Sequence, residues 1–361
     1  MWQYWLLFSV PAWLALSRLG AVNSTKSSNS SWSLSWIICF LSLGIVIGLR
    51  HEVGADWFTY QNLFESGLGA SLDEYFATPL EPAYSLISWL SGNFFGSIYF
   101  LNFICGLFFS WGLVEFCRLQ PRSWLALLVA VPYLVTVVAM GYTRQGVAIG
   151  VAMLAMSKLI RGNFWPFMLL MTLAMTFHKS AIILIPFALF ARSHKSFISI
   201  IMVFSSIFLL FILLIKESLP FLIYGYIENE YMSAGASYRV GMNTLPAIIF
   251  LLFKKKFFLN EMENKFWTMI SLSSLLFLLL ILFFPTSSTA IDRLFLYWIP
   301  LQIFVWSRVP DVMGNSHTSR SCLVLLVVIY CFMVYFIWLN FSIHSRYWIP
   351  YQFYPWKMLW S

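Results

Sequence analysis

Arg144, the pair His178-Lys179, Arg239 and the pair Asp292-Arg293 share an unusual setting. Each lies at the edge of an apolar segment too short to cross a bilayer by its uncharged residues alone: 145–157, 180–191, 240–253 and 294–307. A span needs roughly 20 residues, so each segment must continue through its charged end. Charge drawn to membrane depth is costly and usually faces a cavity or a partner. A single Lys or Arg can instead snorkel to the interface at little cost. Four such ends on one side favour a shared polar cavity.

Arginine in such a cavity offers a permanent charge and a forked set of donors that matches phosphate oxygens. Arg50, Arg144, Arg239 and Arg293 are therefore candidate ligands for a diphosphate, with Lys179 as a further cation. Taking a proton from a hydroxyl requires a group that titrates near working pH or is held by a partner. His178 is the first candidate; Glu81 and Asp56 follow. Either carboxylate could instead orient His178 or pair with an arginine. Tyr60, Tyr224, Tyr226, Tyr231 and Tyr238 could stack on sugar rings, or belong to the aromatic belt found at membrane interfaces. No phosphate-binding glycine loop, HExxH or nucleophile elbow occurs. Arginines alone can neutralise a diphosphate, so this chemistry requires neither a metal nor another cofactor.

The elements that position these residues follow from composition. The 361 residues are 60% hydrophobic and 10% charged, with 36 Phe, 17 Trp and 17 Tyr. Soluble domains carry about 25% charged residues, and disorder needs low hydrophobicity, so both classes are excluded. Uncharged stretches recur at 27–49, 123–143, 196–215, 266–291 and 321–341. Strand-length alternation is absent, which points to helices and away from an outer-membrane barrel.

The expected fold is an all-α polytopic membrane protein with about 12 transmembrane helices in a single domain, 1–361. Spans are expected near 2–19, 34–49, 98–116, 124–142, 144–160, 163–177, 180–191, 197–215, 241–253, 266–285, 292–307 and 322–341. Residues 83–95 read as a short interfacial helix. Larger outer loops fall near 50–82 and 216–240, and the tail 342–361 reads as an outer aromatic belt. The five cysteines sit in or beside apolar segments without CxxC spacing, as core thiols do.

Placing both termini outside puts 14 of the 22 Lys/Arg in inner loops and leaves 10 of the 14 Asp/Glu outside. The positive-inside rule favours that orientation. Lys254–Lys256 then reads as a topogenic signal, with no role in binding nucleic acid. The ionisable candidates above fall on the outer side. Residues 162–191 are the tightest stretch, because two helices of about 15 residues reach only about 22 Å each.

Five short segments in order, GLRHEVGADWFTY (Gly48–Tyr60), LEPAYSLI (Leu80–Ile87), YTRQGVAI (Tyr142–Ile149), FHKSAIIL (Phe177–Leu184) and DRLFLYW (Asp292–Trp298), resemble the EpsG-like branch of Wzy-type polysaccharide polymerases. Trp57 departs from the tyrosine of the family pattern, and residues 299–361 are similar only in being apolar with an aromatic tail. The resemblance implies a GT-C-like glycosyltransferase of the bacterial inner membrane, of the kind that makes O-antigen (lipopolysaccharide) or exopolysaccharide. Such an enzyme moves a growing glycan from undecaprenyl diphosphate to the terminal sugar hydroxyl of a lipid-linked repeat unit on the periplasmic or outer face. The expected reaction is a single inverting displacement. A flippase and a chain-length regulator are implied partners, beside the undecaprenyl-diphosphate-linked oligosaccharide and membrane lipids. The alternatives are an O-antigen ligase and a flippase or transporter for lipid-linked glycan; an acyltransferase would want an acyl donor on the inner side.

Overall fold

The structure, a computed structural model, describes residues 1–19, 32–78, 80–192, 235–283 and 288–360. The expected span 197–215, Tyr224, Tyr226, Tyr231 and most of the loop 216–240 lie outside these residues. The described chain is helical nearly throughout. Its helices are α1 (Trp2–Ser17), α2 (Leu34–Gly48), α3 (Trp57–Ser66), α4 (Leu72–Ala77), α5 (Pro82–Leu90), α6 (Ile98–Arg118), α7 (Ser123–Ala130), α8 (Thr143–Ile160), α9 (Phe164–Phe177), α10 (Ile185–Arg192), α11 (Ala236–Phe253), α12 (Glu261–Phe283), α13 (Ser288–Phe295), α14 (Pro300–Trp306), α15 (Val309–Met313), α16 (His317–Phe341) and α17 (Tyr354–Trp360). Strands β1 (Arg50–His51) and β2 (Gln352–Phe353) pair antiparallel.

Among the described residues, four helices are long and apolar enough to cross a membrane: α6, the run Ala236–Phe257 that begins with α11, α12 and α16. At 1.5 Å per residue the 21 residues of α6 reach about 32 Å, the thickness of a hydrocarbon core. Helices α2 and α9 and the run Ser123–Ala139 are apolar but shorter. The chain is thus an all-α membrane protein, with four full-length helices among the described residues, where about 12 spans were expected of the whole chain. The described residues form two compact units, Met1–Lys179 with Met313–Ser361, and Ser180–Val312.

In the first unit α6 is the central helix, packed on α2 and α8. Glycines allow the close crossing. A methyl group on Gly112 would lie 1.7 Å from the Gly150 carbonyl oxygen, and one on Gly150 would lie 2.4 Å from the Phe109 Cα. Small residues let apolar helices approach backbone to backbone where water supplies no driving force between them. Helices α8 and α9 form a hairpin through a three-residue turn in which Gly162 takes φ +80. Past α7 the helix widens into a π-helical run, Val131–Ala139, beginning next to Pro132, whose missing N–H breaks the regular ladder. The expected interfacial helix at 83–95 is α5 followed by a π-helical turn, Ser91–Phe95. Cys105, Cys117 and Cys331 are buried thiols, Cys39 is half-buried and Cys322 is exposed.

The C-terminal tail differs from the belt expected of it. It is threaded into the first unit by directed hydrogen bonds. Trp348 Nε1 donates to the Thr136 carbonyl at 2.7 Å, Tyr351 to the Val46 carbonyl at 2.7 Å, and Tyr4 to the Trp348 carbonyl at 2.7 Å. Strand β2 then pairs Phe353 with Arg50 and Gln352 with His51. Composition marked these aromatics as interfacial; burial of their polar ends against backbone carbonyls made them a strap.

In the second unit α11 packs on α12, α13 and α14. The buried Trp298 holds the centre: its Nε1 donates to Ser273 at 2.8 Å and to the Ile270 carbonyl at 3.1 Å. Asn243 Nδ2 donates to Ser274 at 3.2 Å and to the Trp298 carbonyl at 3.3 Å. Trp267 stacks on Phe304 with centroids 4.1 Å apart.

Candidate active site

Arg144 is the second residue of α8, and Glu81 is the N-cap residue of α5, where Pro82 opens the helix. Arg144 Nη1 donates to Glu81 Oε2 at 2.8 Å. Glu81 is buried, 7% exposed, whereas the Arg144 side chain keeps 29% of its surface. The rings of Tyr60 and Tyr84 flank the guanidinium, each centroid 5.9 Å from its central carbon. The Arg144 Nε–H is buried without a hydrogen-bond partner among the described residues. A buried donor left unmade costs about 1–3 kcal/mol, which an acceptor from a ligand would recover. Burial raises the Tyr60 hydroxyl above its ordinary range, against the opposing pull of Arg144, so it stays protonated and can donate.

Arg50 occupies a different kind of place. It is 2% exposed, and its guanidinium donates to the Val53 carbonyl at 3.1 Å, to the Ile47 carbonyl and to Thr143 Oγ1 at 2.9 Å. Its central carbon lies 5.6 Å from the Trp57 ring centroid. Arg50 was expected to grip phosphate; here it ties the 50–54 turn to the first residue of α8. Gly54, at φ +111, closes that turn against the Met140 carbonyl, which a methyl group there would meet at 2.5 Å.

His178 is half-buried at the C-terminal end of α9, in extended backbone. Because α8 and α9 are antiparallel neighbours, that end lies level with the beginning of α8, where Arg144 stands. Lys179 follows and is exposed. Asp56 caps α3 through its backbone, its carbonyl accepting from the Tyr60 N–H at 3.0 Å. The first unit thus collects Arg144, Glu81, Tyr60, Tyr84, Asp56 and His178 at one end of its helices. Tyr84 was missed as a site residue, though its spacing of three from Glu81 places it one helical turn on.

In the second unit Arg239 grips Asp292 with two donors, Nε to Oδ1 at 2.7 Å and Nη2 to Oδ2 at 2.6 Å. Asp292 is buried and the neighbouring Arg293 is exposed. The expected diphosphate ligand Arg239 is therefore bound to the chain's own carboxylate. Tyr238 is exposed.

A model of the EpsG family matches residues 33–353 of the chain. No curated protein and no solved structure matches it. The matched region runs well past residue 298, where the last resembling motif ends, and takes in the tail through β2. The tail that carries no motif is therefore part of the matched fold, in keeping with its hydrogen bonds to Thr136 and Val46.

Proposed function

The chain belongs to the EpsG family, and on that premise we propose that it is a polysaccharide polymerase of the bacterial inner membrane. It transfers a growing glycan from undecaprenyl diphosphate to the terminal sugar hydroxyl of a lipid-linked repeat unit on the outer face. The acceptor oxygen attacks the anomeric carbon as the bond from that carbon to the diphosphate oxygen breaks. Configuration inverts, undecaprenyl diphosphate leaves, and His178 takes the acceptor proton.

The observation that carries this reading is Arg144: partly exposed, fixed on one side by Glu81, framed by two tyrosines, and with one buried donor unspent. Charge grows on the diphosphate as the glycosidic bond breaks, so a guanidinium already held in place stabilises the transition state more than the ground state. Glu81 orients that guanidinium, and the Tyr60 hydroxyl donates to a phosphate or sugar oxygen. Asp56, beside Tyr60, helps set its position. Arg50 positions the others through Thr143, and Arg239 is held by Asp292. Lys179, in the same unit as Arg144, is assigned as a further cation for that ligand.

Purified protein in proteoliposomes, supplied with lipid-linked repeat units, should build polymer without an ion gradient. His178→Ala should slow extension by about 10²–10⁴ while leaving thermal stability close to wild type. Wild-type extension in that variant removes the histidine from the mechanism. Transport of intact lipid-linked units without chain growth overturns the polymerase reading and favours a flippase.

A further inference from the structure

A second cationic site lies at the other end of the first unit. Helix α8 runs from Arg144 to this end, where Arg161 pairs with Glu115 at 2.8 Å and Glu115 pairs with Arg118 at 2.8 Å. Beside them a cleft of about 400 Å³, counting its open mouth, lies between the end of α1, the start of α7 and α16. Arg18, Arg122, Ser123 and Trp124 form its polar wall, while Leu14 and Val324 lie on its apolar side.

Its construction suits an anion that carries a hydrocarbon chain. Trp124 is 6% exposed and fixed by stacking on Trp36, centroids 4.1 Å apart and planes 6° from parallel. Its Nε1–H is buried and has no hydrogen-bond partner among the described residues. The Arg18 guanidinium lies 5.9 Å from the Trp124 ring centroid. Arg122 Nη1 donates to the Leu19 carbonyl at 2.9 Å, which holds that side chain at the rim. Helix α7 starts here with no side-chain cap on its first N–H groups. Two guanidinium groups, an indole donor and the positive end of a helix dipole all attract negative charge. No carboxylate lines the cleft among the described residues, and Glu115 is already shared by Arg118 and Arg161.

We propose that this cleft binds the phosphate of an anionic membrane phospholipid, with Arg18 and Arg122 on the phosphate oxygens, Trp124 donating to one of them, and an acyl chain along Leu14 and Val324. Basic pockets between spanning helices on the cytoplasmic side recognise anionic headgroups by this chemistry. The positive-inside reading puts the cleft in the inner leaflet, away from Arg144 and the polymer chemistry. The proposal stands whether or not that chemistry is right.

Native mass spectrometry of the purified full chain with phosphatidylglycerol or phosphatidylcholine tests it. Wild type should retain phosphatidylglycerol in preference to phosphatidylcholine. Arg18→Gln should weaken that retention about tenfold, the loss of one charge-assisted contact. Trp124→Phe, which keeps the ring and removes only the N–H, should weaken it less. Lys255→Gln, which removes an exposed cation from the second unit, should leave it unchanged. Equal retention of the two lipids, or wild-type retention in Arg18→Gln, overturns the proposal. So does equal displacement by millimolar inorganic phosphate, which would make the cleft a site for a free anion.

Discussion

Arg144 and Arg239 look alike in sequence, each a lone cation at the start of an apolar run, yet the two units use them differently. Arg239 meets Asp292 through two parallel donors, the strongest geometry available to an arginine and a carboxylate. Arg144 meets Glu81 through one, at 2.8 Å, keeps more of its surface, and leaves its buried Nε without a partner among the described residues. A locked pair uses both donors on one carboxylate; the looser pair leaves the Arg144 Nε–H over, the donor that the proposed ligand would take. Charge at membrane depth therefore marks a polar partner, and the partner decides whether the residue serves the fold or a ligand.

The comparison can be broken by exchanging the roles. Arg144→Gln should lower extension by about 10²–10³, the usual cost of one lost transition-state donor, while thermal unfolding moves little. Arg239→Gln should do the reverse. It removes the two donors that Arg239 gives the buried Asp292 carboxylate, a loss of at most about 3–5 kcal/mol, visible as a lower unfolding temperature before any kinetic effect. Arg239→Met with Asp292→Leu removes both charges, and should restore most of that stability and keep activity. Loss of extension in that folded double variant would make Arg239 a ligand after all. A smaller effect is expected for Glu81→Gln. It keeps a hydrogen-bond acceptor for Arg144 and loses only the charge, so extension should fall about tenfold through poorer orientation of the guanidinium.

The smallest effect concerns the strap. His51 bonds Tyr99 through Nδ1 and Lys357 through Nε2, with Glu52 at 3.3 Å. Burial, and then Lys357, lower its pKa below the ordinary histidine value, with Glu52 opposing. The unfolded chain takes up this proton first. The stabilisation from neutral His51 is therefore complete above about pH 6.5 and is lost as pH falls through the folded-state value. Protease release of the tail should increase between pH 7.5 and pH 5 in wild type, and the increase should shrink in His51→Gln.

Much of the helical frame was legible from uncharged stretches alone. Residues 34–49 and 163–177 match α2 and α9 to within a residue, because the bilayer makes length and apolarity the controlling variables. Helix α16 starts five residues earlier than the expected 322, since Ser316 caps it by accepting the Ser319 N–H. Hydropathy is blind to such a polar first turn. The segment 50–82, expected only as a loop, also holds helices. It folds into α3 and α4, the latter held by the Ser71–Glu74 capping box. In the site, the ionisable residues could be read from their positions, but the pairing of Arg144 with Glu81 joins residues 63 apart in the chain. No local pattern distinguishes that contact from the tighter one at Asp292. The tail's docking was equally hidden, because its aromatic residues carry the same composition whether they face lipid or donate to Thr136 and Val46.

Binding of undecaprenyl diphosphate, the leaving group of the proposed reaction, tests the central claim most directly. Isothermal titration in detergent should give at least about tenfold weaker affinity for Arg144→Gln than for wild type, with the Arg239→Met, Asp292→Leu double variant close to wild type. Wild-type affinity in Arg144→Gln, with the protein folded, would contradict the account.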